Sequence, residues 1–260
     1  MLGKITDIVR EASALMKKDS AEVFQKEGYA NIVTSADMAV QEYLCSRLEE
    51  LLPGSGFICE EEDIALHDEQ QTQHEYTWII DPIDGTCNFA RGIDHCAISV
   101  ALKHGKEMEM AVVYIPATNE LFTAERGKGA WRNGKEIHVT DRPFEDALFC
   151  TALAVYHKEY AQICSDIIVE TFCRCNDIRR FGAASVELCY LAMGRCELYF
   201  EYILSPWDYA AASLILTEAG GVFSDLKGNA LDGTKPSGVL AANNKENLKQ
   251  ILEIVSEKTC

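Results

Sequence analysis

Apolar residues at Leu2, Ile5, Ile8, Val9, Ala12, Leu15 and Met16 recur every three or four positions, the spacing of a single helical stripe, and predict a helix over residues 2–18. Residues 19–33 are charged and contain glycine, and predict a loop or a short irregular pair. Thr34-Ser35-Ala36-Asp37 has the form of a helix start, so a long amphipathic helix is expected to about Leu52, where Pro53-Gly54 stops it. Phe57-Ile58-Cys59 is a short apolar strand that runs into Glu60-Glu61-Glu62-Asp63. The polar stretch 63–75, with His67 and His74, reads as exposed and mobile.

Short runs rich in β-branched residues follow: Thr77–Ile80, His95–Leu102, Met108–Tyr114 and Glu120–Ala124, with a hairpin turn at 103–106 and a loop over Gly127–Gly134. A polar break places a boundary near residue 140 and divides the chain into an α+β half, 1–140, and an α/β half, 141–260. In the second half, strands are expected at 146–153, 178–182, 196–200, 222–224 and 238–241. Helices are expected at 156–172, 183–193, 207–219 and 245–258. No internal repeat or low-complexity segment interrupts this order.

Composition narrows the function. With 48% hydrophobic residues among 260, a sizeable core is readily filled. A net charge of −17 repels nucleic-acid backbones and anionic lipid, which argues against a nucleic-acid polymer or a membrane as partner. It leaves room for phosphate substrates where divalent cations reverse the local sign. The eleven cysteines show no paired CxxC spacing, and no secretory leader is evident at residue 1, so reduced thiols in a cytoplasmic protein are expected. No window has the apolar length needed to span a bilayer.

The chemistry gathers where apolar runs end. Glu60, Asp81, Asp84, Asp208 and, less clearly, Asp37 all lie at such places, where layered α/β proteins put ligands. Paired Mg²⁺ ions need several carboxylates, one able to bridge, and prefer oxygen donors. In Asp81-Pro82-Ile83-Asp84-Gly85-Thr86 the proline stiffens the bend, and the Ile83 carbonyl is free to face a cation. The Gly85 and Thr86 amides are suited to a phosphate oxygen, and the Thr86 hydroxyl to a water. Each acid also has a plainer reading. Asp81 and Asp84 are turn residues in type, Asp208 stands where a helix cap would, and Glu201 is either directed at substrate hydroxyls or a surface acid. Four acids without nearby basic partners in sequence are costly if merely buried, which favours the cation cluster.

These segments resemble the inositol monophosphatase family, the magnesium-dependent, lithium-sensitive phosphatases that include fructose-1,6-bisphosphatase-like and nucleotide 3′-phosphatase-like members. The likeness spans nearly the whole chain and rests on Glu60-Glu61, Asp81 to Phe89, Arg180-Phe181-Gly182, Trp207-Asp208 and Glu218-Ala219-Gly220-Gly221. It implies a layered αβαβα fold, usually a homodimer. It implies Glu60, Asp81, the Ile83 carbonyl, Asp84 and Asp208 as ligands of two or three Mg²⁺ ions. Thr86 would hold the nucleophilic water, oriented by Asp37, and Glu60 would help activate it. The Gly85 and Thr86 amides would hold phosphate, and Ala184 and Glu201 would line the substrate pocket. Asn88 and Phe89 read as structural. One departure is Ala210-Ala211-Ala212 where the family usually has Ala-Ala-Gly.

The expected activity is direct hydrolysis of a small phosphorylated polyol or sugar, foremost myo-inositol 1-phosphate. Fructose 1,6-bisphosphate and 3′(2′),5′-bisphosphate nucleotides form the alternative substrate class. A non-enzymatic metal-binding or interaction protein is the alternative of another kind.

Overall fold

The structure is a computed structural model and describes residues 1–17, 22–25, 32–61 and 74–259. The expected mobile stretch 63–75 lies mostly outside the described residues. Its helices are α1 (Leu2–Ser13), α2 (Ser35–Leu51), α3 (Thr86–Ala90), α4 (Ala161–Phe172), α5 (Ala184–Ala192), α6 (Pro206–Glu218) and α7 (Lys245–Thr259).

Seven strands form the first sheet in sequence order: β3 (Gly56–Cys59), β4 (Tyr76–Asp84), β5 (Ala97–His104), β6 (Glu107–Ile115), β7 (Glu120–Glu125), β8 (Ala130–Arg132) and β9 (Lys135–Ile137). Only the β3–β4 pairing is parallel. The second sheet has five strands in the order β11-β10-β12-β14-β13, where β10 is Leu148–Thr151, β11 Asp177–Arg179, β12 Leu198–Leu204, β13 Val222–Ser224 and β14 Ser237–Ala242. A separate antiparallel pair, β1 (Val23–Gln25) with β2 (Ile32–Thr34), precedes α2.

Strand alternation sorts the side chains into layers. Trp78, Ile80, Ile98, Val100, Leu102 and Val112 face α1 and α2, meeting Ile5, Ile8, Val9, Val40, Leu44 and Leu48. Their neighbours Ile79, Ala97, Ala101, Ala111 and Val113 face the other way, into a core with α5, α6 and the near side of the second sheet. Phe149, Leu198, Phe200, Leu240 and Ala242 cover that sheet's far side, under Ile167 of α4 and Ile251, Ile254 and Val255 of α7. The result is the expected αβαβα stack. A one-residue slip in β4 would exchange Trp78 for Ile79 and destroy both adjoining layers at once.

Several boundaries differ from expectation. The segment 127–134, read as a loop, carries β8 and opens into β9. Asn133 and Gly134, at φ 50° and 75°, make the two-residue hairpin between them. β4 continues past Ile80 to Asp84, and β12 continues past Phe200 to Leu204, so Asp81, Asp84 and Glu201 stand within strands. The helix expected from Tyr156 begins at Ala161, after a 3₁₀ turn at Lys158–Tyr160. α6 passes through Ala210, Ala211 and Ala212 unbroken, each almost fully buried between the sheets, so the additional methyl is accommodated.

Candidate metal centre

Asp81 and Asp84 differ by three positions, which in a regular strand would send their side chains to opposite faces. A bulge removes that difference. Asp81 pairs with Ser99 and Asp84 with Ala97, so Pro82 and Ile83 together oppose Ile98 alone. Pro82, which has no amide hydrogen to offer the ladder, is suited to such a position. Both aspartates consequently enter the inner layer, where α5 and α6 begin. Ile83 packs its side chain with Ala36, Phe89 and Cys96.

One oxygen from each of Asp81, Asp84 and Asp208 lies within 4.8 Å of the others. Asp84 reaches 100 residues along the chain to the first turn of α5. Its Oδ1 accepts from the Ala184 amide at 3.2 Å, and its Oδ2 from the Ser185 amide at 2.7 Å and hydroxyl at 2.5 Å. Asp208, in the first turn of α6, accepts from the Ser205 amide at 2.7 Å. Asp81 is different: its Oδ1 is buried and has no hydrogen-bond partner among the described residues. Burial, then the charges of Glu60, Asp84 and Asp208, push the Asp81 carboxyl well above its ordinary range. Asp84 is also raised by burial, against the lowering effect of its α5 hydrogen bonds, and Asp208 is raised by burial and by Asp84 and Glu201.

Glu60 follows the last residue of β3, continues the ladder with an amide bond to the Ile80 carbonyl at 3.3 Å, and lies close enough for its charge to raise the Asp81 carboxyl. Gln41 of α2 clamps the next residue: its Nε2 donates to the Glu61 carbonyl at 2.6 Å and its Oε1 accepts from the Glu61 amide at 3.0 Å.

Asp37 and Thr86 also meet. Asp37 Oδ2 accepts from the Thr34 amide at 2.9 Å and hydroxyl at 2.5 Å, closing a capping box at the start of α2. Its Oδ1 lies 3.2 Å from the Thr86 hydroxyl, which also lies 3.0 Å from the Ile83 carbonyl. Burial raises the Asp37 carboxyl, opposed by these hydrogen bonds. Gly85 has φ 86°, and a Cβ there would come within 2.9 Å of the His95 carbonyl and 3.1 Å of Ala183 Cβ. No other residue fits that corner without movement. Asn88 secures it by donating to the His95 and Phe181 carbonyls, both at 2.7 Å.

Glu201 is buried on β12, which removes the surface-acid reading. Its Oε2 accepts from the Tyr199 hydroxyl at 2.7 Å, and burial pushes its carboxyl up to about 8. Ala184 lies at the same inner layer, with its amide engaged by Asp84.

Four contributors escape the sequence reading. Ser185 anchors Asp84. Glu187, pushed up to about 7 chiefly by burial, accepts the Phe181 and Gly182 amides at 2.6 and 2.9 Å. Gln41 positions the segment beside Glu60. Tyr156, 54% exposed as a residue, has its phenol raised by partial loss of hydration and then by the charges of Glu60, Asp208 and Asp81. An acid inside the apolar run 183–193 was the available signal for Glu187. The other three have no local mark.

The donor set is all oxygen, concentrated and negative, with one carboxylate oxygen unsatisfied. That suits a hard divalent cation such as Mg²⁺ and does not suit a thiophilic one. Asp81, Asp84, Asp208 and Glu60 are the residues able to hold it.

Comparison with known proteins identifies the family and the fold. The sequence model of the inositol monophosphatase family matches residues 2–259. A Nus factor SuhB of Vibrio cholerae is 36% identical over 249 residues, 95% of this chain and 90% of that protein. The IMPase structure from Thermotoga maritima has a TM-score of 0.84 at 29% identity, covering 97% of this chain and 95% of that one. A Staphylococcus aureus IMPase-II, solved with inositol monophosphate bound, has a TM-score of 0.80 at 25% identity, covering 97% and 93%.

Proposed function

The chain belongs to the inositol monophosphatase family, and from that premise we propose that it is a Mg²⁺-dependent phosphatase that hydrolyses a small phosphate monoester, with myo-inositol 1-phosphate as the leading substrate. The observation that carries the reading is the buried, unpartnered Asp81 Oδ1, facing a cluster with Asp84 and Asp208.

Glu60, Asp81, the Ile83 carbonyl, Asp84 and Asp208 are proposed to hold two ions, with a third near Glu60. Bound there, the ions supply charge for the phosphate, a lowered water pKa and stabilisation of the departing alkoxide. The protein does the rest. Thr86 donates its proton to Asp37, which turns the hydroxyl lone pairs toward an incoming water. Burial and three hydrogen-bond donors fix Asp37 in place for that task. The Gly85 and Thr86 amides hold a phosphate oxygen. Glu201 and the wall at Ala184 receive the polyol. Attack is in line: the water oxygen–phosphorus bond forms as the ester bond breaks, without a phosphoenzyme.

Substrate size follows from charge. The acidic chain offers few basic side chains to grip a second phosphate: Arg180, whose charge acts on Glu187 and Glu201, with Arg179 and Lys235 as the other candidates. The bisphosphate substrates are therefore the second choice, and a homodimer in the cytoplasm is the proposed setting. No helix among the described residues is long and apolar enough to cross a membrane. A role like that named for the Vibrio cholerae relative is a second reading, favoured by that relative's 36% identity.

The test is phosphate release from inositol 1-phosphate, fructose 1,6-bisphosphate and adenosine 3′,5′-bisphosphate, with Mg²⁺, without it, and with Li⁺ added. Magnesium-dependent turnover, highest on inositol 1-phosphate and inhibited by Li⁺, is expected. Absence of turnover on every substrate would leave the second reading in possession.

A further inference from the structure

We propose that Cys45 and Cys59 are a modification site that closes to a disulfide, joins α2 to β3, and in closing weakens cation binding at the adjoining carboxylates. The two Sγ atoms, from the second half of α2 and the last residue of β3, are 3.6 Å apart. A disulfide of about 2.05 Å requires an approach of about 1.5 Å, within reach of side-chain rotation and a small strand shift. β3 is free to make that shift because, among the described residues, it is an edge strand paired only with β4. Both thiols are covered yet not sealed, at 6% and 7% exposure. The molecule contains its own contrast: Cys150 and Cys196 also interact, but they are exposed by 0% and 2%, and β10 is flanked by strands on both sides.

The consequence for the site follows from covalent neighbours. Cys59 precedes Glu60 directly. Gln41, one helical turn before Cys45, already holds Glu61 to α2 through two hydrogen bonds. Closing the bond draws the segment on both sides of Glu60 toward α2, while Asp81 stays anchored in β4 between β3 and β5. Glu60 and Asp81 then separate. This effect on cations rests on the function proposed above, whereas the bond itself does not.

The oxidant is a low-molecular-weight disulfide. One cysteine thiolate attacks it, releasing one small thiol and leaving a mixed disulfide. The second cysteine displaces the other small thiol. The two cysteines lose two electrons and two protons in all, and the oxidant gains them as two thiols.

The full chain would be equilibrated with oxidised and reduced glutathione in varied ratio, alkylated, digested and read by mass spectrometry. Mg²⁺ affinity of each form would be taken from thermal shift without substrate. A dithiothreitol-reversible peptide joining Cys45 to Cys59, two hydrogens lighter than the free pair, is expected. With it should come Mg²⁺ affinity weaker by about ten-fold, the loss typical when residues supporting metal ligands are disturbed. Cys45→Ala should abolish both changes and Cys196→Ala neither. Absence of the 45–59 peptide at every ratio in the unmutated chain would overturn the site. A cross-linked form that binds Mg²⁺ like the reduced one would overturn its effect. Failure of the reduced form to respond to Mg²⁺ at all would instead overturn the function proposed above, with the cross-link still read independently.

Discussion

Away from the centre, Glu197 is fully buried beside the second sheet, where it accepts from Arg142 at 2.7 Å, the Thr140 hydroxyl at 3.0 Å and the Leu148 amide at 2.9 Å. Glu120, 3% exposed, sits between Arg132 and Arg195 at 2.9 and 2.8 Å. Around the ends of β4 and β12, Asp81, Asp84 and Glu201 are also buried. Among the described residues no Lys or Arg forms an ion pair with any of them. The chain therefore places arginine beside buried acids where they serve architecture and withholds it where Asp81, Asp84 and Asp208 converge. Under the function proposed above, a positive charge brought from solution would complete what the sequence leaves open, since unpaired buried carboxylates are otherwise forced to hold protons.

Substitution at Asp81 tests this contrast most severely. Asp81→Asn is expected to lower Mg²⁺-dependent turnover at least about 100-fold, the scale of removing a major electrostatic contributor. It should leave metal-free thermal stability unchanged or raised, because one like charge is removed from the cluster. Loss of stability in parallel with activity would place Asp81 with the architectural acids. Glu197→Ala is the opposite probe. Urea unfolding should show a loss of about 3 kcal/mol, from the stranded Leu148 amide and the broken Arg142 pair, while the Mg²⁺ response of the folded protein persists.

A subtler comparison uses Glu187, which is buried without an ion pair but accepts two amides. Its carboxyl is raised from 4.5 to about 7 in the folded chain. Between those values the folded protein holds a proton that the unfolded chain has released. Stability associated with that proton is fully present below pH 4.5 and is lost as pH rises toward 7. Glu187→Gln keeps an oxygen for the Phe181 and Gly182 amides and does not ionise. The variant should gain on the wild type by about 3 kcal/mol between pH 4.5 and 8 in metal-free unfolding; a constant difference would show that Glu187 ionises as in water. Smallest is Ser185→Ala, which removes one of three hydrogen bonds to Asp84. Mg²⁺ affinity should fall by about five-fold, corresponding to about 1 kcal/mol, with the maximal rate nearly kept. An equal fall in the maximal rate would move Ser185 from positioning Asp84 to the reaction itself.

What sequence could tell differs across the same molecule. The start of α2 was legible because Thr34 and Asp37 signal their own capping box within four residues. The clustering of Asp81 with Asp84 was legible from their place at the end of an apolar run and from the family resemblance, but not as a shared face of a strand. Their shared face depends on a bulge, and nothing short of the Ser99 and Ala97 pairings reveals it. β8 and β9 were missed although Asn133-Gly134 is a strong hairpin signal, because flanking glycines and an isolated Trp131 obscure three-residue strands. The Thr86 contact with Asp37 was reached through the family resemblance alone and the Asp84 contact with Ser185 not at all, since each joins residues brought together only by packing of layers.

The reach of Asp84 to α5 also orders events in time. A ribosome that has extruded Asp81 and Asp84 must still make about a hundred residues before Ser185 and Asp208 exist, and contacts so distant in sequence close late. Until then the emerging chain carries acids without their companions, and the carboxylate cluster is assembled together with the last inner layer. A chain cut short before α6 lacks the cluster, and that dependence on later synthesis is written into where a single carboxylate finds its hydrogen bonds.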